Sequence, residues 1–146
     1  MSDGYERAAR NAEEIVTQEE LRELCSRPSR RAYIGIEPSG HAHLGWKIVA
    51  EKIKDRTAAG FETIILLADW HAYINDKLGG DLGRIHVCGL YIQDALEALG
   101  VPRSSIKYVW ASDYIGDPKY WERIIRISKA SSLSRIRRAM DIMGRK

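Results

Sequence analysis

The 146-residue chain contains neither G-x-G-x-x-G nor G-x-x-x-x-G-K-[ST], so the usual fingerprints of dinucleotide and P-loop sites are missing. It holds only two cysteines, Cys25 and Cys88, far apart and outside any C-x-x-C pair. That usage fits reduced thiols in a cytosolic protein better than a disulfide framework. No apolar run approaches the ~20 residues that span a bilayer, so no membrane segment is expected. The opening MSDGYERAARNAEEI lacks an apolar h-region, and no signal peptide is expected from it. Internal repeats and low-complexity stretches are absent as well. What remains is 45% hydrophobic and 29% charged residues, the composition of one globular domain with a real core.

The charge is uneven. Residues 119–146 carry nine Lys and Arg against Glu122 and Asp141, a net +7, while residues 1–118 carry −4. A basic end on a mildly acidic body suits a polyanionic partner, and the alternative is a solvated helix face.

The pattern along the chain alternates. Thr17 followed by Glu20 predicts a capping box opening a short helix over EELRELCSR. RAYIGI (31–36) is a short β-rich run and predicts a buried strand. LGWKIVAEKIKDRTAAG places apolar residues at 44, 48, 49 and 53 and stops at Gly60, predicting an amphipathic helix. FETIILLAD (61–69) predicts a second buried strand, residues 81–99 a second long helix ended by Gly100-Val101-Pro102, and IKYVWAS (106–112) a third strand. Pro118 can open a helix that stays compatible as far as about Met143. This β-α-β-α-β-α order predicts a doubly wound parallel α/β sheet, in which ligands bind beyond the carboxyl ends of the strands. Residues 1–30 read as an N-terminal helical segment and 31–146 as the nucleotide-binding part.

The segment after the first strand is GIEPSGHAHLG, residues 35–45. Glycines, two histidines and the start of a helix suit a phosphate: the helix dipole and free N–H groups favour an anion, a histidine donates to it, and Gly40 and Gly45 admit the backbone. A second reading takes His41, His43, Asp69 and His71 as ligands of a divalent metal. A third takes His71 as a buried structural histidine.

PSGHAHLG resembles the HIGH signature of class I aminoacyl-tRNA synthetases, with His43-Leu44-Gly45-Trp46 in its place. LLADWHAYIND (66–76) resembles the LLADLHAYLN segment of tyrosyl-tRNA synthetases of the archaeal and eukaryotic type, and AYIGIEPSG resembles their AYIGFEPSG. The similarity runs from about Glu13 to Met143. It implies a Rossmann-like fold, the N-terminal half of a class I catalytic domain, and tyrosine–tRNA ligase activity: ATP with Mg²⁺ activates L-tyrosine to tyrosyl-adenylate, which is passed to tRNA(Tyr). It implies catalytic roles for His43 and Gly45, with Gly40, His41, His43, Gly45 and Trp46 at the ATP. Tyr33 would contact the substrate phenol, and Gly35, Glu37 and His71 would complete the tyrosine side. Arg137 and Arg138 would lie near the tRNA acceptor end. No protein-held metal is implied. Two departures stand out: Trp46 where the family often has histidine, and Ile115 where it often has glutamine.

The resemblance further implies that the KMSKS loop, the rest of the tyrosine pocket and an anticodon-binding domain lie outside these residues, leaving the isolated chain incomplete for full activity. Unpaired strand edges and a family dimer region that includes Tyr120 and Trp121 predict a homodimer or a complementing fragment. The alternative is a non-catalytic nucleotide- or RNA-binding fragment of synthetase-like fold.

Overall fold

The computed structural model describes residues 2–142. The order is α1 (Ser2–Ala9), α2 (Gln18–Ser26), β1 (Arg31–Ile36), α3 (Gly45–Ala58), β2 (Glu62–Leu67), α4 (Asp69–Ile74), α5 (Leu82–Ala98), β3 (Ile106–Trp110), α6 (Pro118–Ala130) and α7 (Leu133–Ile142). Two compact units divide it, one up to Ala111 and one from Ser112 onward.

In the first unit the three strands are parallel in the order β1-β2-β3. A monotonic order, with α3 and α5 in the two crossovers, is what one winding direction of a doubly wound sheet provides. The register pairs Ile34 with Ile65 and Ile36 with Leu67. Side chains alternate across a sheet, so these residues share one face. There they meet Ala50 and Ile53 of α3 and Cys88, Ile92 and Leu96 of α5 in a single apolar cluster. Both crossover helices therefore cover the same face.

The other face explains a correction. β1 is not a buried strand: its residues alternate between exposed and covered, and Tyr33 is 72% exposed. An edge strand covered on one face cannot be buried on both. Tyr33 and Gly35 line the open side, next to half-buried Ile64 and Leu66.

The helix stripe of α3 also shifts. Ala50 and Ile53 are buried, with Trp46 and Val49 packed beside them, whereas Leu44 and Ile48 stand 88% and 75% exposed. Positions 46, 49, 50 and 53 follow the 3.6-residue period, and 44 and 48 fall about a quarter-turn or more outside it. α3 and α5 stop as read: Gly60 and Gly100 take φ of 82° and 86°. The following amides, Phe61 and Val101, reach back to the Arg56 and Leu96 carbonyls at 3.1 and 3.0 Å, the Schellman pattern.

At the amino ends of the strands, Ala8, Ala59 and Phe61 form a second small cluster with Leu21 and Leu24. Lys52 on α3 donates to the carbonyls of Ala8 and Arg10 at 2.7 and 2.6 Å, tying down the end of α1. Partial burial lowers its pKa. Thr17 does stand at the N-cap of α2, but its side chain makes no capping bond, so the capping box is not formed.

In the second unit, Asp117 caps α6 by accepting from the Lys119 amide at 2.9 Å, one residue after the position where Pro118 opens the helix. The predicted single helix is two: Ser131 and Ser132 interrupt it, and Ser132 Oγ accepts from the Arg135 amide at 3.3 Å as the cap of α7. Met143 lies outside the described residues.

Candidate functional site

Parallel strands bring their carboxyl ends to one edge, and the signature segment leaves β1 there. Ala68, just past β2, donates its amide to Ile36 O at 2.8 Å, which joins the two strand ends. Glu37 follows β1 and accepts from Asn75 Nδ2 of the α4 end at 2.7 Å. His71 lies on α4 and is exposed, so the reading of a buried structural histidine is wrong.

Residues 37–44 carry no regular structure until α3 begins at Gly45. The histidine at the turn is fixed by that glycine. His43 Nδ1 accepts the Gly45 amide at 3.1 Å. A Cβ on Gly45 would stand 2.9 Å from His43 Cε1 and 3.1 Å from Nδ1, so only glycine lets the ring fold back over the helix start. A neutral imidazole whose Nδ1 accepts carries its proton on Nε2. The turn thus presents one N–H donor from an exposed ring. The H-x-G spacing has a direct physical meaning here.

The expectation of free helix amides needs correction. The amides of Gly45, Trp46 and Lys47 already bond to His43 Nδ1, His43 O and Leu44 O, the last two at 2.8 and 3.0 Å. What stays available at this point is the dipole of a 14-residue helix and the His43 donor. Trp46 is half-buried against the core, so its indole serves packing. At Gly35 and Gly40 a Cβ would meet nothing within 4 Å, which leaves open space beside the backbone. One turn further along α3, Lys47 and Lys54 both reach Glu51 at 2.7 Å. Hydrogen bonds from Lys47 and then Lys54 hold the Glu51 carboxyl at about 2.

Two grooves flank the signature segment. One of about 630 Å³ is lined by Gly40, His41, Cys88 and Tyr91, among others. The other, about 740 Å³, is lined by Ala42, His43, Leu44, Lys47 and Tyr91. Tyr91 is common to both. No sequence signal marked it, because the partner it bonds, Ala42, lies 49 positions away; the bond of Asn75 to Glu37, 38 positions apart, was equally beyond local pattern. Tyr33 borders a separate cavity of about 540 Å³ that also touches Arg31, Lys52 and Arg56.

The metal reading fails: among the described residues no three His, Cys, Asp or Glu side chains come together, and His41, His43, Asp69 and His71 form no such group. His41 instead sets its ring edge-on to Tyr91 at 5.8 Å. Arg137 and Arg138 are exposed on α7, within the second unit. Among the described residues no helix is long and apolar enough to cross a membrane.

Comparison with known proteins agrees with the resemblance read from the motifs. The chain is 47% identical over 143 residues to the tyrosine–tRNA ligase of Aeropyrum pernix, covering 97% of this chain and 39% of that protein. The crystal structure of tyrosyl-tRNA synthetase from the same organism superposes with a TM-score of 0.91 at 45% identity, over 94% of this chain and 42% of that one. The Archaeoglobus fulgidus tyrosyl-tRNA synthetase, solved in complex with L-tyrosine, gives 0.86 at 40% identity, over 96% and 44%. The chain thus spans about two fifths of the length of the relatives it matches. Residues 26–145 match the family of class I tRNA synthetases for tryptophan and tyrosine (W and Y), and the chain belongs to that family.

Proposed function

We propose that this chain supplies the ATP side and part of the amino-acid side of a tyrosine–tRNA ligase. The observation that carries the reading is the His43–Gly45 turn, which aims a single N–H donor from the start of α3. Tyrosyl-adenylate forms when a carboxylate oxygen of tyrosine attacks the α-phosphorus of ATP and pyrophosphate departs. That displacement needs no protein nucleophile, only positioning and neutralisation of phosphate charge. His43 Nε2–H and the α3 dipole supply charge stabilisation, and open backbone at Gly40 admits the nucleotide. Mg²⁺ accompanies the phosphates and needs no cage of side chains.

Tyrosine fits the opposite, uncovered side of β1. The Tyr33 hydroxyl would meet the substrate phenol, Gly35 would leave room beside it, and Glu37 and His71 would border the remainder. Relatives named as tyrosine–tRNA ligases and a neighbour solved with L-tyrosine support tyrosine over tryptophan. Arg137 and Arg138 would meet acceptor-end phosphates of tRNA(Tyr). Exposed Tyr120 and Trp121, stacked edge-on at 5.5 Å, support self-association through α6. A cytoplasmic location goes with this role.

Calorimetric titration of ATP and pyrophosphate exchange test the reading together. Wild type should bind ATP, His43→Ala should bind it at least several-fold more weakly, and exchange should depend on tyrosine. Equal ATP affinity in the two proteins would refute the role of His43. ATP binding with no tyrosine-dependent exchange would favour the second reading, a nucleotide-binding fragment without catalysis.

A further inference from the structure

We propose that Tyr91 is a positioning residue that holds the signature segment in the form that receives ATP; the inference rests on the function proposed above. Residues 39–42 belong to no helix or strand. Their backbone makes two hydrogen bonds among the described residues, and both come from α5. The Ala42 amide donates to Tyr91 Oη at 3.2 Å, and Cys88 Sγ donates to Gly40 O at 3.4 Å. Between them the His41 ring meets the Tyr91 ring edge-on at an interplanar angle of 79°. Three consecutive loop residues are therefore held by two side chains one helical turn apart, Gly40 by Cys88 and His41 and Ala42 by Tyr91.

The support behind those two side chains is rigid. Ile85, Ile92 and Leu96 of α5 are fully buried in the core, which fixes the helix that carries them. Tyr91 itself is 39% exposed, so its hydroxyl is not needed to close the core. Its place is local: it sits between the two grooves and sets the backbone of Ala42. The next residue is His43, and the direction of its Nε2–H follows from that backbone and from the bond to Gly45. Without the Tyr91 hydroxyl the Ala42 amide loses its partner and the segment loses one of its two ties to α5. His43 then samples orientations in which its donor misses the phosphate. A site of this kind depends on groups that hold its contacts in place.

Tyr91→Phe keeps the ring and its contact with His41 and removes only the acceptor. The test compares wild type, Tyr91→Phe and His43→Ala in thermal midpoint, hydrogen exchange of the Ala42 amide, and calorimetric affinity for ATP and for tyrosine. Tyr91→Phe should lower the thermal midpoint by no more than a few degrees, leave tyrosine affinity unchanged, speed exchange at Ala42, and weaken ATP binding about threefold to tenfold, the range for one lost hydrogen bond. Wild-type ATP affinity in Tyr91→Phe, with His43→Ala impaired, would overturn the role of Tyr91 alone. Unchanged exchange at Ala42 would overturn it as well, as would a lowered midpoint with equal loss of both ligands. Failure of wild type to bind ATP, or an unimpaired His43→Ala, would instead overturn the functional reading beneath it.

Discussion

Gly45→Ala separates the folding role of the signature turn from its chemical role. The new Cβ would stand 2.9 Å from His43 Cε1 and 3.1 Å from Nδ1, closer than a Cβ tolerates. The ring has to swing away, and the Gly45 N–H···Nδ1 bond breaks. Its loss costs about 0.5–1.5 kcal/mol. Replacing glycine at a position with ordinary helical backbone returns roughly 0.4–1 kcal/mol through the unfolded chain. The two nearly cancel, so urea unfolding should move by less than about 1 kcal/mol. The ligand does not share in that compensation. A histidine N–H aimed at a phosphate oxygen is worth about 1.5–3 kcal/mol, so ATP affinity should fall about tenfold to a hundredfold. Calorimetry reads the affinity, and nitrogen-15 shifts of the imidazole read the tautomer, which should cease to be fixed with the proton on Nε2. Because Gly45 acts through His43, the substitution should cost almost nothing in a His43→Ala background. ATP affinity within about twofold of wild type in the single variant, or full additivity in the double variant, would mean that Gly45 does not act through His43.

Further outcomes follow from other parts of the fold. Tyr33→Phe should weaken tyrosine binding about threefold to tenfold and leave phenylalanine little changed; equal loss of both would make Tyr33 a packing residue. Lys52→Ala removes two bonds to the end of α1 and should destabilise by about 1–2 kcal/mol, discounted for partial exposure, with faster hydrogen exchange in residues 2–10; an unchanged urea midpoint would count against that tie. Binding of tRNA(Tyr) should weaken steeply with salt, and replacing Arg137 and Arg138 by alanine should make the log–log slope shallower by about two; a flat dependence would return α7 to a solvated face.

The strands were legible because each is a short apolar run between glycine-, proline- or charge-rich turns, and the helix stops at Gly60 and Gly100 because only glycine takes that backbone cheaply. Several features could not be read. Tyr33 gives no sign of exposure in RAYIGI, since burial depends on which face the crossover helices cover. Leu44 and Ile48 look like part of the stripe of α3 until the core fixes its phase. The break before α7 was not read, because the basic and apolar pattern continues across Ser131 and Ser132. At the site, the residue types in PSGHAHLG pointed to phosphate, but the reason for glycine at 45 is the His43 ring, not space for a ligand. The ties from Tyr91 and Cys88 join residues 48 and 49 positions apart, beyond any local pattern.

In the proposed function, one bound intermediate bridges the His43 turn and the open side of β1. A nitrogen-15 amide spectrum of the chain, recorded with and without a non-hydrolysable tyrosyl-adenylate analogue, tests it most directly. The largest shifts should fall at Tyr33 to Glu37, Gly40 to Gly45 and around His71, with His43→Ala removing those at the turn. Shifts confined to other surfaces, or a spectrum the analogue leaves unchanged, would contradict it.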